Sequence, residues 1–209
     1  MKKLRMVPAL LTVIALGACE DNLLDVLPVD EIAEDIAIID AKSARAALVG
    51  AYSALQDDAL YGGDYVIWTD LLTEDVEHTG TYGSYADGDQ LFFRPEMGII
   101  DGVWTAFYDG INRVNLIIQK VPAIEDIDAD EADEILGQAY ALRALQYFGL
   151  VRAWGDVPLV VTPPASLDEA AQVARAPVAQ VWEQIESDLA QAQSLLGAMG
   201  NDDRTLVTP

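Results

Sequence analysis

The sequence predicts an all-α protein made of stacked helices. Four segments repeat apolar residues with a period of about 3.6, glycine or proline follows several of them, and no stretch alternates apolar and polar residues over a useful strand length. Of the 209 residues, 52% are hydrophobic, so the chain can bury a core, and its length suits one domain or two small ones. A disordered acidic tail is excluded by this apolar content.

The first helix is expected to begin at Asp40 or Ser43, both good N-caps, and to run to about residue 55 with Leu48, Tyr52 and Leu55 on one face. Residues 57–95 are different, because five glycines interrupt a stretch that is rich in aromatic residues. We expect this stretch to be mostly loop, with at most a short helix near residues 65–72.

Three longer helices are expected after the loop. The first, about residues 99–120, has a wide apolar stripe and stops at Pro122. The next, about residues 130–154, is apolar on nearly every side and must be central; Gly155 should follow its last turn and Pro158 should prevent its resumption. The last keeps a 3.6 period and begins with Pro177 in its first turn.

Antiparallel helix pairs of this size, joined by short links, are the unit of tetratricopeptide-type solenoids. The aromatic consensus of that repeat is not visible in the sequence, so periodicity alone predicts only an all-α protein of stacked helices. The fold we expect is a tetratricopeptide-like stack of helical hairpins that carries a long, irregular, aromatic-rich loop.

The N-terminus has the layout of a signal peptide. Three basic residues precede an apolar run at residues 6–18, which is too short to span a bilayer. The run ends in Leu-Gly-Ala before Cys19, which resembles a bacterial lipobox, so Cys19 is expected to carry a diacylglyceryl group and an N-acyl chain such as palmitate. The alternative is an ordinary signal peptide with a chance cysteine. We expect a signal peptide at residues 1–18, an acidic tether at 19–39 and a helical domain at 40–209.

Composition also limits the partners. The chain has 12 Lys and Arg against 35 Asp and Glu, a net charge of -23, which repels phosphate backbones, so no nucleic acid is expected. One Cys and one His exclude disulfide frameworks and nearly all thiolate or imidazole metal sites. We therefore expect no metal and no cofactor.

Several sequence blocks resemble one family. Residues 137–159, GQAYALRALQYFGLVRAWGDVPL, look like the hallmark GEAxxLRAxxYFxLVRxxGxVPL of the SusD/RagB family. Blocks at residues 48–55, 104–115 and 175–189 match other family patterns in the same order, and the lipobox makes a fifth. Family members commonly run to more than twice this length, so the resemblance implies that a C-terminal part is missing.

The resemblance implies a function as well as a fold. Members are cell-surface, outer-membrane lipoproteins that capture oligosaccharides, or sometimes peptides, and cap a SusC-like TonB-dependent transporter. The acidic residues just after Cys19 resemble the surface-export signal of such lipoproteins. No nucleophile motif or phosphate-binding glycine loop is present, so we do not expect an enzyme. The alternative is a helical scaffold lipoprotein that binds protein partners and no glycan.

Sugars are bound by aromatic rings that stack on their apolar faces and by polar groups that take their hydroxyls. The aromatic-rich loop supplies such groups, and the candidate ligand contacts are Tyr65, Trp68, His78, Tyr82 and Tyr85. Alternatively, Tyr65 and Trp68 fill the core behind the loop, and His78 is an ordinary surface residue.

Other prominent residues are interpreted as structural. Arg143 lies in the central helix and needs a buried partner; since Gln138 stands where the family usually has Glu, that partner must come from elsewhere. Asn115 is expected to tie helices together, and Trp154, Gly155 and Pro158 belong to the hallmark segment. The acidic run at residues 125–131 loosely resembles a calcium site but lacks EF-hand spacing, so a solvated charge run is favoured.

Overall fold

The computed structural model of the protein describes residues 38–94, 96–164, 166, 169 and 171–197. The predicted signal peptide, the lipidation site Cys19 and nearly all of the acidic tether lie outside these residues. All described residues belong to one unit, Ile38–Pro209.

The described residues form six α-helices and one short ladder. The helices are α1 (Ala41–Ala54), α2 (Asp64–Leu71), α3 (Gly83–Asp89), α4 (Gly98–Lys120), α5 (Ala129–Trp154) and α6 (Val178–Leu196). A 3₁₀ turn, Val121–Ala123, follows α4, and strands β1 (Val157–Pro158) and β2 (Arg175–Ala176) pair antiparallel, with Val157 opposite Ala176. The predicted all-α class is confirmed.

Local chemistry explains the helix ends. The Asp40 carboxylate accepts a hydrogen bond from the Ser43 amide at 2.7 Å, while the Ser43 hydroxyl accepts one from the Asp40 amide at 3.0 Å, so the two candidate caps act together as a capping box. Gly155 ends α5 with a φ of 71°, a conformation that favours glycine. Pro177 is the N-cap of α6 and therefore lies one position before the predicted first turn.

Helix α5 is the centre of the stack, as expected from its apolar surface, and it contacts α1, α4 and α6. Glycines allow the close approaches. A Cβ on Gly149 would lie 2.5 Å from the Phe107 ring on α4, and one on Gly137 would lie 2.7 Å from Leu196 on α6. One side of α5 is not covered, although the apolar surface of this helix predicts burial on nearly every side. On that side Leu145 and Phe148 are 38% and 36% exposed.

A buried polar network joins three helices. Arg143 on α5 donates to both carboxylate oxygens of Asp188 on α6, at 2.8 and 2.7 Å, and to Asn115 Oδ1 on α4 at 2.8 Å. It also donates to the Val161 carbonyl at 3.0 Å, and Asn115 donates to the Val160 carbonyl at 2.9 Å, so the segment after β1 is held by the same network. Arg143 and Asn115 therefore link α4, α5 and α6 in this structure.

Asp188 is the partner that sequence reasoning did not identify. A signal for it existed, because Asp188 interrupts the buried stripe of α6, which consists of Val181, Ile185, Asp188, Ala192 and Leu196. An acid on a buried stripe needs a cation. Gln138 has a different role, since its side-chain oxygen accepts a hydrogen bond from the Tyr52 hydroxyl at 2.8 Å.

Candidate functional site

The aromatic-rich segment after α1 is more regular than the sequence predicts. It contains the expected short helix, α2, and also α3, whose two glycines made a helix seem unfavourable. Gly88 on α3 is buried, and a Cβ there would meet Leu71 and Trp68 of α2 at 3.8 Å. Packing against α2 therefore stabilises a helix that local propensity does not favour.

The end of α3 exposes apolar residues. The Leu91 amide donates to the Gly88 carbonyl at 2.9 Å and the Phe92 amide to the Asp87 carbonyl at 2.8 Å, the bond pattern of a Schellman motif. Leu91 occupies the left-handed position, with a φ of 55°, where glycine is the usual residue. Leu91 and Phe92 are both more than half exposed.

Three of the candidate ligand contacts come together on the surface. The Tyr82 and Tyr85 rings meet edge to face with centroids 4.6 Å apart, and the His78 ring lies 5.9 Å from that of Tyr85. Tyr82 is 52% exposed. The Tyr85 hydroxyl donates to Asp64 Oδ1 at 2.7 Å, which fixes α3 to the first turn of α2. We call His78, Tyr82, Tyr85 and Asp64 the tyrosine patch.

Negative charge dominates the electrostatics of the tyrosine patch. The hydrogen bond to Asp64 and partial burial raise the pKa of Tyr85 to about 12, and the charges of Asp64 and Asp58 add to the effect. The Tyr85 phenol therefore stays protonated, and can donate to Asp64, up to a higher pH than an unperturbed tyrosine. The patch offers an exposed ring face at Tyr82 and a carboxylate acceptor at Asp64, which are the groups that a sugar ring and its hydroxyls need.

His78 is packed rather than free in the patch. Its Nε2 atom is buried and has no hydrogen-bond partner among the described residues. Gly80 lies directly against the imidazole, since a Cβ there would be 3.0 Å from the His78 Cε1 atom. The residue therefore supports the Tyr85 ring, and its nitrogen is covered in this conformation.

Tyr65 and Trp68 point into the core. They are only 7% and 8% exposed, and their rings contact Phe107 at 5.1 Å and Trp154 at 5.9 Å between centroids. Both side chains therefore fill the space behind the loop in this structure, and their rings are not exposed for a ligand to stack on. The reason is that α2 turns this face towards α4 and α5.

Trp154 and Pro158 of the hallmark segment contact residues of α2 and α4. Trp154 is half-buried between Trp68 and Trp104, with its ring 5.3 Å from that of Trp104. The Pro158 carbonyl accepts the Tyr108 hydroxyl at 2.7 Å. These contacts connect the end of α5 to α2 and α4.

The acidic run before α5 has structural partners. Asp128 caps α5 by accepting the amides of Asp130 and Glu131, and Glu131 pairs with Arg45 of α1 at 2.5 Å. Within the described ranges, no group of three or more His, Cys, Asp or Glu side chains is arranged to hold a metal ion. Among the same residues, no helix combines the length and the apolarity required to cross a membrane.

Comparison with known proteins agrees with this architecture. The family model SusD-like, described as starch-binding and associating with the outer membrane, matches residues 68–208. SusD-like protein P38 of Formosa agariphila is 30% identical over 190 residues, which are 90% of this chain and 36% of the relative.

Solved structures have the same fold. A SusD homolog from Bacteroides thetaiotaomicron superposes with a TM-score of 0.71 at 28% identity, covering 84% of this chain and 34% of that one. A laminarin-binding SusD-like protein superposes with a TM-score of 0.70 at 24% identity, covering 82% and 38%, a likeness of fold. This chain thus spans little more than a third of the length of these proteins. From the family match over residues 68–208 and the identity to P38, the chain belongs to the SusD-like family.

Proposed function

We propose that this chain binds oligosaccharides at the tyrosine patch, as the glycan-capturing part of a lipoprotein that serves a SusC-like TonB-dependent transporter. The observation that carries the proposal is the exposed Tyr82 ring, set edge to face against a Tyr85 whose hydroxyl is fixed on Asp64. The starch-binding description of the family supports it.

The patch suits sugar binding because it is rigid before a ligand arrives. Tyr85 is held by its hydrogen bond to Asp64 and by the His78 ring, so little side-chain entropy is lost on binding. Tyr82 offers a flat apolar surface for a pyranose ring. Asp64 has a second carboxylate oxygen that can accept a sugar hydroxyl.

The cellular setting is part of the proposal. A lipid on Cys19 would hold the protein at the cell surface of the outer membrane, since two or more acyl chains are sufficient for stable anchoring. A SusC-like transporter would receive the captured glycan. We assign no catalytic residue, and the protein acts as a binding protein in this scheme.

The experiment is a binding titration with the Tyr82→Ala variant. The chain is titrated calorimetrically with a panel of uncharged oligosaccharides that includes maltoheptaose and laminariheptaose. Loss of a central ring contact costs at least about 1 kcal/mol, or about fivefold in Kd, so we expect Tyr82→Ala to weaken binding by that factor or more. Trp182→Ala is the matched control, because Trp182 is also exposed, at 37%, but lies on α6.

The outcomes separate the two candidate functions. If Tyr82→Ala and Trp182→Ala weakened glycan binding equally, the sugar would not bind specifically at Tyr82, which would contradict the proposed site. If the unsubstituted chain bound no glycan of the panel but did bind a SusC-like transporter, the scaffold lipoprotein would be favoured instead.

A further inference from the structure

We infer that the tyrosine patch selects oligosaccharides that carry no carboxylate or sulfate groups and disfavours anionic ones. This inference rests on the proposed function and specifies its substrate class. It comes from the placement of fixed charges around the two tyrosines.

One carboxylate, Asp64, belongs to the patch, and a second, Asp58, acts on it from beside α2. Asp64 lies 2.7 Å from the Tyr85 hydroxyl, and its own amide donates to the Asp58 carbonyl at 2.7 Å, which holds the Asp58 segment beside α2. Asp58 is exposed and Asp64 is half-buried. Both charges act on the Tyr85 phenol and raise its pKa. A ligand stacked on the tyrosines therefore lies in the field of two negative groups.

The nearby cations are engaged elsewhere. Arg94, which follows α3, forms an ion pair with Asp87 and lies over the Phe92 ring. Arg152 lies over Phe148, 4.9 Å from the ring centroid, and its charge acts on Tyr61 and Tyr65.

The expected selectivity follows from Coulomb's law. A ligand carboxylate within a few ångströms of Asp64 is repelled by it, and Arg94 and Arg152 are engaged by other groups. At a partly solvated site this repulsion corresponds to about tenfold or more in Kd. The net charge of -23 opposes the approach of polyanions over a longer range. Salt screens both effects, with a Debye length of about 8 Å at physiological ionic strength.

The test compares one oligosaccharide with its own oxidised form. Maltoheptaose and laminariheptaose are each used unmodified and after oxidation of the C6 hydroxymethyl groups to carboxylates, at about 20 mM and about 500 mM NaCl. We expect the oxidised form to bind at least about tenfold more weakly than the unmodified form at low salt. At high salt we expect the ratio of the two Kd values to decrease.

Asp64→Asn isolates the local charge, because it keeps an acceptor oxygen for Tyr85 and removes the negative charge. We expect this substitution to reduce the ratio of the Kd of the oxidised form to the Kd of the unmodified form at least about threefold. The reduction is smaller than the full tenfold effect because Asp64 supplies only part of the negative charge. Glu186→Gln removes one charge from an exposed residue on α6 and should leave the ratio unchanged.

The results overturn the two ideas separately. The selectivity would be overturned, with glycan binding left intact, if the oxidised form bound as tightly as the unmodified form or more tightly. It would also be overturned if the ratio of the Kd values of the two forms were the same in Asp64→Asn as in Glu186→Gln. If neither form of either oligosaccharide binds, the proposed function fails for these glycans and the selectivity fails with it.

Discussion

Asp188→Asn is expected to lower the free energy of unfolding by about 3 kcal/mol. The substitution keeps the size of the side chain and one acceptor oxygen but removes the charge that neutralises Arg143. The side chains of Arg143 and Asp188 are only 5% and 1% exposed, so the guanidinium cannot turn to water after the change. The charged guanidinium would stay buried, and its acceptors would be the neutral oxygens of Asn115, Val161 and the introduced asparagine.

The magnitude comes from the general cost of breaking a buried ion pair, about 3–5 kcal/mol, and the retained acceptor places this case near the lower limit. The matched control is Glu131→Gln, which also converts an arginine-bonded acid into its amide. Arg45 and Glu131 are 52% and 24% exposed, so the control should cost at most about 1 kcal/mol.

Urea unfolding followed by far-ultraviolet circular dichroism measures both changes. For a slope of about 2 kcal/mol per molar urea, 3 kcal/mol lowers the midpoint by about 1.5 M. A loss below 1 kcal/mol for Asp188→Asn, equal to that of Glu131→Gln, would refute the reasoning that the buried network holds α5 and α6 together through its charges.

Two other predictions concern the packing and the tyrosine patch. Gly149→Ala should destabilise the chain by about 1–3 kcal/mol in the same urea assay, because its Cβ would overlap the Phe107 ring. Gly50→Ala should instead stabilise it by about 0.5–1 kcal/mol, because Gly50 lies in mid-helix and its Cβ would make only an ordinary contact with Arg113 Nη1 at 4.0 Å. Equal effects of the two substitutions would contradict the close approach of α4 and α5. Carbon NMR of labelled tyrosines should show the Tyr85 phenol titrating near pH 12, and Asp64→Asn should move this titration towards pH 10. Because the folded pKa is the higher one, the Tyr85 contribution to stability is complete below about pH 10 and is lost as pH rises towards 12. If the pKa of Tyr85 were unchanged in Asp64→Asn, the hydrogen bond to Asp64 would not be the main cause of the raised pKa.

Much of the helical framework could be predicted because its signals are local. The apolar periods and the capping groups predicted α1, α4, α5 and α6 to within a few residues, whereas α2 was expected only as at most a short helix within a loop. Helix α3 could not be predicted, because its stability comes from contact with α2 and not from its own residues. The partner of Arg143 was also missed, since Asp188 lies 45 residues away and only the packing of α6 on α5 brings them together.

The helix-rich class, most of the helix ends and the family can be read from the sequence, because periodicity, caps and motif spacing are properties of neighbouring residues. Which aromatic residues are exposed depends on the tertiary packing. Tyr65 and Trp68 are turned into the core and Tyr82 faces outward, although all three lie in one segment with similar composition. Burial depends on which distant helices pack against a segment, and the order of residues within the segment does not contain that information.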